Sequence, residues 1–397
     1  MKKMTNTLYA FLCVIALAVS CNKPEPDNGG GDPQQDTETV TLTMVDPNAT
    51  PETKALYSNL WAIQKKGFMF GHHDDLMYGR YWYGKDGGSD TKDVCGDYPA
   101  VYSMDFSEMM DDRFDNKSSK EANALRLKCI KQAYDRGMVI TGCIHINNPL
   151  TGEDSWDNSS NKVVSSILDP ASEIHAKYLQ WLDRLADVFL NLKGSDGKQI
   201  PVIFRPYHEH TQTWSWWGSS CTTTQQFIDF WQFTVKYLRD TKGVHNLIYA
   251  ISPQMDSSKT EDDFYFRWPG DDFVDFIGMD CYQGINNTVF VNNLKVISKI
   301  SLKKLKPAGV TETGKEGFTN TDYWTVNIHA PLTGRRVCMV VTWRNKYVAD
   351  ESDRHFFSVY PGHPSEKDFV KMYKMENSFF CNDLPDMYRM AEGVTIK

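Results

Sequence analysis

The segment FRPYHEHTQTWSWWG, residues 204–218, sets one carboxylate, Glu209, between His208 and His210, with Arg205 upstream and Trp214, Trp216 and Trp217 downstream. An acid among aromatic rings resists ionisation, because burial disfavours the charged form. A second carboxylate, Glu312, lies in GVTETGKEG, residues 309–317, after small residues, where nearby hydrogen-bond donors would keep it ionised. One protonated and one ionised carboxyl facing each other is what glycosidic bond cleavage requires. One acid protonates the leaving oxygen; the other attacks the anomeric carbon or activates water. In the retaining form of that reaction the two carboxyl groups stand about 5–5.5 Å apart. The chain holds 11 Trp, 19 Tyr and 21 Phe; most must build a core, but a surplus of Trp suits flat ligands such as sugar rings.

A rival chemistry starts from the same residues. If residues 208–210 continue a strand, His208 and His210 share a face and Glu209 points away, the beginning of a metal site in barrel hydrolases. The stretch HEHTQ is not HExxH, because Gln212 stands in the fifth place.

Carboxylates from distant segments meet only if the fold brings strand ends together. Eight short apolar runs read as strands: 67–71, 100–105, 138–145, 201–207, 246–252, 274–280, 307–312 and 337–343. Runs this uniformly apolar suit a parallel sheet covered on both faces. Helical patterns fall between them. Residues 119–136 have Ser118 and Glu121 at capping-box spacing and stop at Gly137. Residues 172–191 align Tyr178, Trp181, Leu182, Leu185 and Phe189, and residues 222–239 align Phe227, Phe230, Trp231, Val235 and Leu238. The alternation predicts an α/β fold, a single (β/α)8 TIM barrel. An open doubly wound sheet is the competing arrangement, but no GxGxxG follows a strand.

A barrel places its chemistry at the C-terminal strand ends. There the sequence offers His72-His73-Asp74-Asp75, Asp105, His145, His208-Glu209, Gln254, Asp280 with Tyr282, Glu312 and Trp343. In GHHDD, Asp74 or Asp75 could instead cap a helix.

Before the barrel, residues 1–20 combine Lys2 and Lys3 with the apolar run LYAFLCVIALAV, too short to span a bilayer, and read as an export signal. LAVSC resembles a bacterial lipobox, with Ala18 where leucine is usual and Cys21 as the lipidated residue. Residues 21–40 are Pro/Gly/polar and read as a tether; residues 41–397 form one catalytic domain. The expected location is outside the cytoplasm, lipid-anchored in the outer membrane, at the cell surface or on its periplasmic face, with no other membrane contact. The net charge of −8, more negative once two lysines leave with the signal, argues against nucleic acid as a partner. A monomer is expected. Seven cysteines remain, without a CxxC, so at least one is unpaired unless it bonds another chain; one buried disulfide can form, and the sequence does not choose its pair.

On these residues the chain resembles glycoside hydrolase family 26, whose best-known members are β-mannanases. The likeness is carried by FRPYHEHTQTWSWWG, GHHDDLMYG (71–79), IHINNP (144–149), FIGMDCYQ (276–283), GVTETG (309–314), VTWRN (341–345) and VYPGHPSEKDF (359–369), in the family's order. The resemblance implies a (β/α)8 retaining hydrolase with Glu209 as acid/base and Glu312 as nucleophile. It implies substrate contacts from His145, His208, Trp217, Tyr282 and Trp343, and rim positions for His72 and Arg205. Tyr207 and Gln212 depart from residues common in the family, which bears on subsite preference. The implied substrate is a β-mannan, glucomannan or galactomannan cut internally, with no metal and no cofactor. Alternatives are another β-glycan, such as mixed-linkage glucan or xylan, exo-release of mannobiose, a non-catalytic glycan-binding lipoprotein, and the metal hydrolase above.

Overall fold

A computed structural model describes residues 39–282, 284–348 and 352–397. The expected signal, most of the tether, and Cys21 lie outside the described residues. Eight parallel strands follow one another: β1 (Phe68–His73), β2 (Val101–Asp105), β3 (Val139–Cys143), β4 (Val202–Arg205), β5 (Leu247–Ile251), β6 (Phe276–Cys281), β7 (Ala308–Thr313) and β8 (Met339–Thr342). Each pairs with the next, and β8 pairs back onto β1, with Met339 opposite Met69 and Thr342 opposite His72. That last pairing closes the barrel and excludes the open sheet. A short strand, Ser378–Phe379, adds to the outside of β1 at Phe68 and Met69.

Both faces of the strands are buried, which is why they read as unbroken apolar runs. Successive side chains alternate. Met69, Val139, Ile203, Ile248, Phe276 and Met339 fall in one cluster with Leu56, Tyr57 and Leu60 of α1 (Pro51–Ile63). Phe68, Phe70, Tyr102, Ile140, Phe204 and Tyr249 fall in a larger cluster with the surrounding helices. Helix α1 closes the N-terminal end of the barrel: Tyr57 donates to the Asp275 carbonyl just before β6, and Gln64, after α1, accepts from the Ala308 amide at the start of β7.

The outer helices α2 (Lys117–Asp135), α3 (Glu173–Asn191) and α4 (Thr224–Lys236) match the expected ones, with two differences. Helix α2 is capped by Asn116, whose side chain accepts from the Ser119 amide at 3.0 Å, so the Ser118–Glu121 box does not form. Asn116 is an equally good cap two residues earlier and wins the added length. Its end is as read: Gly137 takes φ +84. Helix α4 has a full capping box, Thr223 with Gln226, and its last turn widens into a π-helical turn over Tyr237–Thr241. Asp75 caps no helix of its own. It accepts from the Ser89 hydroxyl and the Asp90 amide, and so tethers the start of the helix Asp90–Cys95. Among the described residues, the seven cysteines from Cys95 to Cys381 form no disulfide.

Candidate active site

Strand β4 ends at Arg205, and the chain does not run on as a strand. Tyr207 and Glu209 take left-handed backbone conformations, φ +51 and +53, which L-residues adopt at a cost of about 1–2 kcal/mol each. Other elements hold this turn down. The Glu209 amide donates to the Ser252 carbonyl after β5 at 2.8 Å. The Trp217 indole donates to the His208 carbonyl at 2.9 Å. Three consecutive side chains therefore splay apart. His208 reaches His145, Nε2 to Nε2 at 3.0 Å. Glu209 enters the cleft. His210 turns away and stacks on Phe227, ring centroids 4.4 Å apart. The HxH ligand pair is thus not formed, because the strand geometry it needs is broken at Tyr207. Among the described residues, the groups of potential ligands that do converge are Asp105–Cys143–His145 and Glu209–Asp280–Glu312, and neither contains His208 or His210.

Glu312 sits at the end of β7, across the barrel mouth. It accepts from the Arg205 guanidinium and from the Tyr282 hydroxyl, the latter at 2.8 Å. Arg205 also donates to Asp280 at 2.6 Å and to Ser252 at 3.0 Å. One oxygen each of Glu209, Asp280 and Glu312 lie within 4.8 Å of one another. Two of these three buried carboxyl groups, Asp280 and Glu312, therefore share one guanidinium. Burial raises the Glu209 carboxyl well above its ordinary range, and the charges of Asp280 and Glu312 push it further, against the hydrogen bond from the Trp214 indole at 2.6 Å. Burial likewise raises Asp280, opposed by Arg205 and helped by Glu312. Glu209 is the member that Arg205 does not touch. Such a trio can keep one carboxyl protonated while another, neutralised by Arg205, stays a nucleophilic anion.

The two glutamates open into a cavity of about 560 Å³ whose walls include His145, His208, Trp214, Tyr282 and Trp343. It shares His145, Trp156 and Trp343 with a neighbouring cavity of about 730 Å³ that carries His73, Asp105, Tyr78 and Arg344. Together they form an elongated groove over the C-terminal strand ends. Trp343 stacks on His73 at 4.0 Å, and Trp156, 65% exposed, stands edge-on to Trp214. His145 donates or shares a proton with Asp105, Nδ1 to oxygen at 2.6 Å. Burial drives the His208 imidazole well below its ordinary pKa, so the ring facing the cleft is neutral.

Most of the expected site residues meet here: Glu209, Glu312, His145, His208, Tyr282 and Trp343 line the cleft. Arg205 lies beneath it, fully occupied by Asp280, Ser252 and Glu312. Two further expected residues do not line it either. His72 is buried against Asp75 at 2.9 Å, and its neighbour His73 faces the groove instead. Trp217 is fully buried, and Trp214 takes the cleft position. Asp105 and Asp280 stand at strand ends in the sequence, but nothing there shows that one orients His145 and the other shares Arg205 with Glu312.

Residues 45–319 match the profile of Glycosyl hydrolase family 26. The chain belongs to that family. A β-mannanase of the family from Bacteroides ovatus superposes with a TM-score of 0.80 at 38% identity, covering 86% of this chain and 98% of that one. An endo-β-1,4-mannanase from Cellulomonas fimi superposes at 0.78 with 29% identity, over 89% of this chain and 81% of the other. A mannan endo-1,4-β-mannosidase of Bifidobacterium adolescentis is 32% identical over 289 residues. This alignment takes in 70% of the present chain but only 28% of that protein. A Bacillus subtilis enzyme of the same name is 26% identical, over 70% of this chain and 75% of its own length. The family 26 match spans β1 to β7 and so includes both glutamates; β8, which brings Trp343, follows it.

Proposed function

We propose that this family 26 chain is a retaining endo-β-1,4-mannanase that cleaves internal bonds of mannan, glucomannan or galactomannan. The observation that carries the reading is the approach of Glu209 and Glu312, one oxygen of each within 4.8 Å, from strands on opposite sides of the barrel mouth. That spacing fits a sugar gripped directly by both carboxyls, and is shorter than the about 6.5–9.5 Å that an inverting enzyme leaves for a water. Glu312, aligned by Arg205 and Tyr282, attacks the anomeric carbon. Glu209, protonated, gives its proton to the leaving oxygen. Now a carboxylate, it takes a proton from water, which attacks the anomeric carbon and releases Glu312. His145 and His208 bind the sugar at the cleavage point, and Trp343 provides its apolar floor. No step draws on a metal or an organic cofactor.

Incubation with linear mannan, with product lengths and anomeric form followed over time, tests the reading. A ladder of oligosaccharides released first as the β-anomer supports it. Early α-anomer excludes retention; mannobiose alone from the start marks exo action; hydrolysis of xylan or mixed-linkage glucan but not mannan moves the substrate. We also propose export and lipid attachment at Cys21, on the pattern of residues 1–21. Fatty-acid labelling of the wild type, absent from Cys21→Ala, is the expected outcome.

A further inference from the structure

Arg267 lies between β5 and β6, in a left-handed backbone conformation, φ +68. The residue is 2% exposed. No acidic neighbour among the described residues offsets that burial, which pushes the group down to about 10, still charged at neutral pH. A buried cation without a counter-charge is expensive, of the order of several kcal/mol. What it touches suggests why it is kept. Nη1 donates to the His210 carbonyl at 3.1 Å, to the Trp217 carbonyl at 3.4 Å and to the Thr222 hydroxyl at 2.8 Å. Nη2 donates to the Thr222 carbonyl. The rings of Phe227 and Phe266 cover the guanidinium at 5.6 and 5.3 Å, and His210 stacks on that same Phe227.

All four acceptors belong to one loop, residues 210–222. The loop begins at the residue after Glu209 and carries Trp214, whose indole donates to the Glu209 carboxyl. The backbone at Glu209 is itself in a conformation that relaxes unless its neighbours fix it. A structural staple could be built more cheaply from apolar side chains. A charged fork that gathers carbonyls from both ends of the loop fixes its path more tightly than packing does.

We propose that Arg267 is a positioning residue for the acid/base. Gripping the loop at His210, Trp217 and Thr222, it fixes where the Glu209 carboxyl stands and how dry it is kept. The proposal rests on the reading of Glu209 as acid/base. The charged groups that face Glu209 are Asp280, Glu312 and Asp256; Arg267 bonds to none of them and lines neither cavity.

The test compares Arg267→Met, Arg267→Lys and Thr222→Val with the wild type on two substrates. Mannotetraose has a poor leaving group that needs the acid. A dinitrophenyl β-mannobioside has a leaving group that departs without a proton. For Arg267→Met, kcat/KM on mannotetraose falls about 100-fold, the scale of a misplacement of about 1 Å. On the aryl substrate, whose kcat/KM reports only the first step, the change stays within about threefold. The alkaline limb of the mannotetraose profile moves to lower pH, as a wetter Glu209 loses its proton sooner. Lys, which keeps the charge but not the fork, recovers part of the loss. Thr222→Val, which removes one acceptor, gives a smaller loss with the same substrate contrast and decides the matter if Arg267→Met does not fold. Equal losses on both substrates, or an unmoved alkaline limb, would show a staple for the fold alone and overturn the proposal. Glu209→Gln serves as the control. If it spares mannotetraose hydrolysis, the acid/base reading itself fails; if it behaves as loss of the acid while the Arg267 variants do not, only the proposal about Arg267 fails.

Discussion

Arg205 reaches up from the end of β4 to the carboxylate of Glu312 on β7, and with its other terminal nitrogen holds Asp280 of β6 at 2.6 Å. The pair is buried, 2% and 5% exposed at the side chains. It fixes the orientation of the group assigned as nucleophile. It also links three strands directly beneath the cleft.

Removing that cation leaves two buried carboxyls facing Glu209 with no counter-charge. Arg205→Met is expected to lower kcat by about 10²–10³-fold, as for loss of a preorganised electrostatic contact. Stability should fall by about 3–5 kcal/mol at neutral pH. The deficit shrinks as pH falls, since protonating Asp280, whose carboxyl burial already raises, removes uncompensated charge. Urea unfolding at pH 5 and pH 8 checks this; a deficit independent of pH speaks against the charge argument.

Glu209 has to carry a proton in the first step. Its carboxyl is raised by burial and by Asp280 and Glu312. The protonated, competent form therefore persists upward in pH and is lost only as pH rises through the raised value. The pH profile of kcat/KM on manno-oligosaccharides is predicted to keep its plateau well above the ordinary glutamate range of about 4.3, then fall. Glu209→Gln should abolish that limb and cost about 10²–10⁴-fold in rate on substrates with poor leaving groups. An alkaline limb unchanged in Glu209→Gln would assign it to another group.

Asp105 holds His145 in place through Nδ1 and also accepts from its backbone amide at 3.1 Å. The hydrogen bonds from His145 and Ser107 keep the Asp105 carboxyl well below its usual range, despite burial. Asp105→Asn keeps the shape and loses the charge. Hydrogen bonds to charged groups contribute about 1.5–3 kcal/mol, so kcat/KM is expected to fall at least about tenfold, with the melting temperature much less affected. Wild-type kinetics in Asp105→Asn would mean that His145 needs no orienting partner.

Closure of the barrel puts Gly71 of β1 opposite Val101 of β2 and Val341 of β8. A Cβ at that position would lie 2.9 Å from the Val101 Cβ and from a Val341 γ-methyl. Gly71→Ala should thus destabilise by about 1–3 kcal/mol, the scale of overpacking, as read from chemical denaturation. A neutral effect would be incompatible with β8 and β2 flanking β1 at this register.

The strands were legible because burial on both faces leaves no polar interruption, and the carboxylates because strand ends mark the barrel mouth. What was not legible depended on details that composition hides. His72 and His73 differ only in strand parity, and register with neighbouring strands decides which faces the groove. Trp214 and Trp217 lie in an irregular loop where no periodicity separates cleft from core. The rival HxH pair required that β4 continue; the left-handed turns at Tyr207 and Glu209, residues with no sequence preference for them, break it. Arg267 gives no sign of its reach, since its acceptors, three backbone carbonyls and the Thr222 hydroxyl, lie some 45 to 57 residues earlier in the chain.

The central claim is that Glu312 becomes covalently bound to the sugar while Glu209 manages the proton. A 2-deoxy-2-fluoro-β-mannoside with an activated leaving group slows release of that intermediate. After incubation, intact-mass measurement and peptide mapping should find one sugar per chain, attached within the peptide that contains Glu312 and absent from Glu312→Ala. A fully active enzyme that turns over the reagent without any adduct and yields α-anomer, or an adduct on another carboxylate, would contradict the account.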